Sequence, residues 1–161
     1  LQNLNATYKG LITGLLMIAV SLSLYYSGVP AESQWQFTIY AIYIAGIAWS
    51  IYSFCSRGEK NDGFGNLFLQ GFRCFIVVTL LMVIFTWVFN KMHPEFANQM
   101  ADAMRTDLQK GGNKTPAEID TEITKMKNYY LPMLVSTAVF GYLLLGAVVS
   151  AVVAFLFMNR N

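Results

Sequence analysis

The sequence predicts an all-α, polytopic membrane protein: four transmembrane helices with an amphipathic helical hairpin between helices 3 and 4. Three observations carry that prediction. The chain is 55% hydrophobic and 12% charged, against about 25% charged in an ordinary globular domain. Its charges gather in clusters separated by long charge-free stretches. The one long charged segment, residues 92–130, carries the punctuation of two short helices.

The 161 residues are about one domain of chain, read as a single membrane domain over 1–161. A soluble chain this small could not wrap so apolar a core. Disorder is excluded because chains this apolar do not stay solvated. A net charge of +2 lacks the basic face that neutralises phosphates, so no nucleic-acid partner is expected. Two cysteines do not make a disulfide scaffold.

Each span follows from a gap between charges. A bilayer-crossing helix needs about 20 apolar residues, because each adds about 1.5 Å across about 30 Å of hydrocarbon. Lys9 and Glu32 bound the first span, residues 10–29. It is read as an uncleaved helix, although Val29-Pro30-Ala31 loosely resembles a signal cleavage site. The chain begins at Leu1 without Met, which suggests that a short N-terminal piece precedes it. Glu32 and Arg57 bound the second span, residues 34–55, and the third covers 66–91, with Arg73 inside it. Lys127 and Arg160 enclose the fourth, residues 131–158. Tyr25, Tyr26, Trp35, Phe37, Tyr129 and Tyr130 stand where an interfacial aromatic belt would hold them.

Orientation follows from Lys and Arg in the short loops. Lys9, Arg57, Lys60, Arg73 and Arg160 share one side, and the first loop opposite has none. Both termini are therefore expected in the cytoplasm. The 92–130 loop, where Lys and Arg are interspersed with Asp and Glu, is expected outside, in the periplasm of a bacterial inner membrane.

Within that loop, Pro94 suits a first helical position, and Phe96, Met100, Ala103, Met104 and Leu108 recur at helical spacing. Gly111-Gly112-Asn113 stops the helix. Thr115-Pro116-Ala117-Glu118 is a capping box opening a second helix, whose apolar face is Ile119, Ile123, Met126 and Tyr130. Pro132 marks a kink or break before the fourth span. Such stripes bury themselves against each other, the membrane or a protein. The candidate partner surface is Met100, Met104, Ile119, Ile123 and Met126.

No catalytic constellation, metal set or cofactor motif emerges. His93 is a lone histidine before Pro94, read as an N-cap or loop residue, and Cys55 and Cys74 read as small membrane-embedded hydrophobes. Gly111–Thr115 lacks the ending of a phosphate loop. Arg73 stands apart, with Gln70 one turn before it on the same face. It is either an arginine snorkelling to headgroups or, with Gln70, Arg57 and Lys60, a contact for a lipid phosphate. Small residues mark candidate helix contacts: Gly10 with Gly14, and Gly141 and Gly146 in the fourth span. The third span, bulky from Phe75 to Phe89, reads as lipid-facing or partner-facing.

Five segments in order, Asn5–Gly10, Phe64–Arg73, Asn113–Pro116, Tyr129–Pro132 and Phe140–Gly146, resemble a four-helix inner-membrane family of Gram-negative bacteria, domain-of-unknown-function family 4199. The resemblance covers almost the whole chain and transfers no catalytic residue. It implies a cell-envelope role alongside polyprenyl-phosphate glycosyltransferases. The expected function is thus a non-catalytic accessory or scaffold subunit of an envelope complex. The alternative is a small lipid-carrier transporter or flippase using Arg73 at the cytoplasmic face. Expected partners are membrane lipid and an inner-membrane protein, with a glycosyltransferase one such partner.

Overall fold

The computed structural model describes residues 5–29, 34–56 and 63–158, and within them every regular element is helical. In chain order these are α1 (Ala6–Tyr26), a short 3-10 turn (Gln34–Gln36), α2 (Phe37–Cys55), α3 (Phe64–Met92), α4 (Glu95–Gly111) and α5 (Pro116–Met158). Four of them, α1, α2, α3 and α5, are long and apolar enough to cross a membrane. No more than 39% of any of these spans is buried within the protein. The remaining apolar surface calls for lipid as its solvent. Tyr26, Trp35 and Phe37 are all exposed at the ends of α1 and α2, as an aromatic belt requires.

α5 differs from the expectation in one respect. Pro132 does not break it: residues 116–158 form one helix of 43 residues. An interior proline removes one backbone hydrogen bond and crowds the preceding turn, which kinks or breaks a helix; of those two expectations the break is corrected, and the helix runs on through Pro132. At Pro94 the outcome is the reverse. α3 ends at Met92, Pro94 takes the cap position, and α4 starts at Glu95.

The chain forms two compact units, divided within α3 and α5 rather than at the ends of the spans. One comprises residues 1–83 and 139–161, the other 84–138.

In the first unit the helices meet where a side chain is missing. A Cβ on Gly10 would lie 2.6 Å from the Cys74 carbonyl oxygen, and one on Gly14 2.6 Å from Leu81 Cδ1. These bring α1 onto α3. Thr13 fills the space over Gly46 and joins α1 to α2, Ser150 on α5 sits over Gly71, and Tyr43 and Phe75 close over Gly146. Gly141 does not belong to this set. A Cβ there meets nothing within 4 Å, so the expected packing role is corrected to an open position on α5. The reading of Phe75 to Phe89 as lipid-facing or partner-facing is also corrected in part, since Phe75, Val78 and Met82 are buried within the unit. Leu67, Gly71, Cys74, Phe75 and Val78 form a buried face at helical spacing, while Leu69, Phe72 and Leu80 are exposed.

Polar side chains tie these helices through backbone carbonyls. Tyr43 Oη donates to the Tyr142 carbonyl at 2.8 Å, Ser50 Oγ to that of Gln70 at 3.3 Å, and Cys74 Sγ to that of Gly46 at 3.7 Å. In lipid such bonds contribute about 0.6 kcal/mol each on average.

The second unit contains the hairpin. Gly112 takes φ 65°, and its N–H donates to the Gln109 carbonyl at 3.3 Å, which ends α4. The capping box forms as the sequence pattern requires. Thr115 N–H donates to Glu118 Oε2 at 2.7 Å, and Glu118 N–H reaches Thr115 Oγ1 at 3.4 Å. The Thr115 backbone N–H, and then its hydroxyl, hold the Glu118 carboxyl below its ordinary 4.5. A carboxyl with a lowered folded pKa stabilises the fold fully above its unfolded value and loses that contribution as pH falls through the folded one. Glu118→Gln should thus lower the thermal midpoint at neutral pH. That difference from the parent should narrow as pH falls below 4.5; a pH-independent difference would show that the carboxylate is not responsible.

The two apolar stripes bury each other. Ala101, Ile119 and Ile123 form the seam, with Met104, Leu108 and Met126 packed along it. This corrects the candidate partner surface: Ile119 and Ile123 are 5% and 6% exposed, Met104 and Met126 are partly covered, and Met100 alone of that set stays open, at 54%. Most helical stability in proteins comes from packing of an apolar face rather than from propensity, and this seam is the face that α4 packs.

Candidate functional site

One end of the first unit collects its charge. The start of α1, the end of α2, the start of α3 and the end of α5 converge there. Contacts of Gly10 with Cys74, of Gly71 with Ile51 and Ser150, and of Tyr52 with Phe157 (ring centroids 5.9 Å apart) fix the arrangement. Among the described residues of this unit the cations are Lys9 and Arg73, and there is no carboxylate.

Lys9 is the residue that sequence reasoning missed. Treated as a flank of the first span, it instead occupies the first turn of α1 and is 2% exposed. Its ammonium lies 5.6 Å from the Trp49 ring centroid, a cation–π distance. Its carbonyl accepts from Thr13 Oγ1 at 2.8 Å. The signal was available: Gly10 and Gly14 mark a contact face that begins in the turn Lys9 occupies.

Arg73 is the contrasting case. It lies nine residues beyond Phe64, about 13 Å along α3 at about 1.5 Å per residue. Its side chain is exposed, on the side of α3 away from Leu67, Gly71 and Cys74. No described carboxylate of this unit is available to it. An arginine at the bilayer centre costs about 2.5–3.5 kcal/mol on insertion scales, a cost that snorkelling reduces near a helix end. Gln70, one turn earlier, is half-buried, and its backbone carbonyl is held by Ser50. The structure thus places Gln70 and Arg73 together. Arg57 and Lys60 lie outside the described residues.

The second surface is the outside of the hairpin. Arg105 Nη2 donates to Asp120 Oδ1 at 2.6 Å, Lys114 Nζ to Glu122 Oε1 at 2.5 Å, and Lys127 Nζ to Asn98 Oδ1 at 2.9 Å. These are exposed pairs, of the kind worth about 0–1 kcal/mol each, so they orient the helices more than they hold them. At the α3–α4 junction, His93 Nδ1 lies 2.6 Å from Glu95 Oε1, and the His93 ring lies 4.6 Å from that of Phe89, tilted by 40°. The Glu95 carboxyl is held below its ordinary value first by its own backbone N–H and then by His93. Among the described residues no three His, Cys, Asp or Glu side chains gather as a metal site. The end of the first unit presents the exposed Arg73, and the hairpin presents a face of both charge signs.

Comparison with known proteins gives one family. The sequence model of the family described as "Protein of unknown function (DUF4199)" matches residues 8–159, and the chain belongs to that family. No curated protein and no solved structure matches the chain.

Proposed function

We propose that the protein is a non-catalytic accessory or scaffold subunit of a cell-envelope complex in a bacterial inner membrane. Both termini lie in the cytoplasm, and the hairpin meets its partner in the periplasm. One observation supports this above the rest. The hairpin closes on its own apolar seam, so its outer face of Asp107, Lys110, Thr121 and Lys125 is left exposed. A polar face of both signs favours specific pairing with a complementary protein surface. A membrane glycosyltransferase is the partner class that the family resemblance suggests.

Chemical crosslinking in cells followed by mild-detergent co-purification tests the reading. Asp107→Lys combined with Lys125→Glu should abolish the captured partner while the protein still inserts and elutes as a single species. Undiminished capture would sink the hairpin as the docking face. Orientation is checked separately. A Cys at Gly112 should react with an impermeant reagent outside intact cells, and one at Asn61 should not. The reverse labelling would put the hairpin in the cytoplasm.

A second reading, a small lipid-carrier transporter or flippase, is favoured by one feature, the exposed Arg73 of α3. It predicts movement of labelled lipid between leaflets in proteoliposomes, lost in Arg73→Leu. Absence of such movement with the parent protein removes it.

A further inference from the structure

We propose that the outward face of α3 from Asn66 to Arg73 is a retained binding site for the phosphodiester of an anionic phospholipid. This goes beyond the scaffold reading and does not depend on the hairpin having a partner. Asn66, Gln70 and Arg73 stand at i, i+4 and i+7, so they form one strip along the helix. Asn66 and Arg73 are exposed and Gln70 is half-buried. Helical side chains lean toward the N-terminus, which carries the Arg73 guanidinium back over the Gln70 turn and toward the headgroup layer.

Charge selects the ligand. Of the two cations described in this unit, Lys9 is enclosed with Trp49, and Arg73 faces outward with no described carboxylate in the unit to neutralise it. A guanidinium presents paired N–H donors that match two non-bridging phosphate oxygens, and an amide at Gln70 adds a further donor. The surroundings select a lipid over a free phosphate ester. Leu69, about 40° round the helix from Arg73, is 41% exposed. That apolar surface offers acyl chains a contact that a free ion does not need.

The test titrates the purified full chain in detergent with phosphatidylglycerol, phosphatidylcholine of the same chains, and glycerol 3-phosphate, read by native mass spectrometry. Phosphatidylglycerol should bind at least about tenfold more tightly than phosphatidylcholine, as expected where a charge-assisted contact is gained. Arg73→Gln should reduce that binding by about tenfold, Arg73→Lys by less, and Gln70→Leu by about threefold. Asn66→Leu leaves the arginine in place and should also weaken binding, so the proposal can still fail if Arg73 variants do not insert. Parent-level phosphatidylglycerol in Arg73→Gln, or in both Gln70→Leu and Asn66→Leu, overturns the site. Equal binding of phosphatidylcholine overturns its selectivity. Displacement of phosphatidylglycerol by equimolar glycerol 3-phosphate overturns the assignment to a lipid.

Discussion

Gly10→Leu is expected to destabilise the membrane unit by about 3 kcal/mol, the upper part of the range for forcing volume into a close-packed interior. The reason is what the new side chain would strike. Its Cβ would sit 2.6 Å from the Cys74 carbonyl oxygen and 3.0 Å from Val77 Cβ, and the former is backbone that cannot rotate away. α1 would have to lift off α3, and Lys9, one residue earlier, would lose its enclosure with Trp49. Gly141→Leu is the matched control. It adds the same side chain to open space and should change stability by no more than about 0.5 kcal/mol. The thermal midpoint of the detergent-solubilised protein, followed by size-exclusion chromatography after heating, separates the two. Equal losses would mean that the glycine contacts do not set the packing.

Ile123→Ala is expected to cost the hairpin about 2–4 kcal/mol, the range for truncating a buried isoleucine. Ile123 is 6% exposed in a seam whose other fully covered members are Ala101 and Ile119. So small a core cannot redistribute the loss. The two helices should separate, shown by fast amide exchange across α4 and the start of α5 while the apolar spans stay protected. Met100→Ala, at a position 54% exposed, should leave exchange unchanged. A hairpin that keeps its protection in Ile123→Ala would show that some other surface holds it.

The spans, the helix stop at Gly112 and the capping box at Thr115 were all legible in the sequence, because each is a local matter. A charge within hydrocarbon, a residue at positive φ and an orphan backbone N–H carry their costs wherever the rest of the chain lies. Gln70 and Arg73 were legible as neighbours for the same reason, since three residues apart on a helix is already one face. At Pro132 the sequence could not choose between kink and break, because whether a helix continues through a cost of about 3 kcal/mol depends on what its flanking turns pack against. Lys9 misled because its charge was read as a span flank, while the Gly10–Gly14 contact face beginning in its own turn was not carried back to it.

The sequence by itself determined that this chain is helical, how many of its helices can cross a bilayer, and where α4 stops and the next helix starts. Only the tertiary structure decided which faces are inside. It put Gly10, Gly14 and Gly146 at contacts and Gly141 in the open, turned Phe75 inward and Phe72 outward, and closed the Ile119–Ile123 stripe on α4. In water, hydrophobic periodicity reveals the buried face, because outside and inside differ in polarity. In lipid both are apolar, so helices sort by shape, and shape complementarity is a property of pairs of helices that no single stretch of sequence contains.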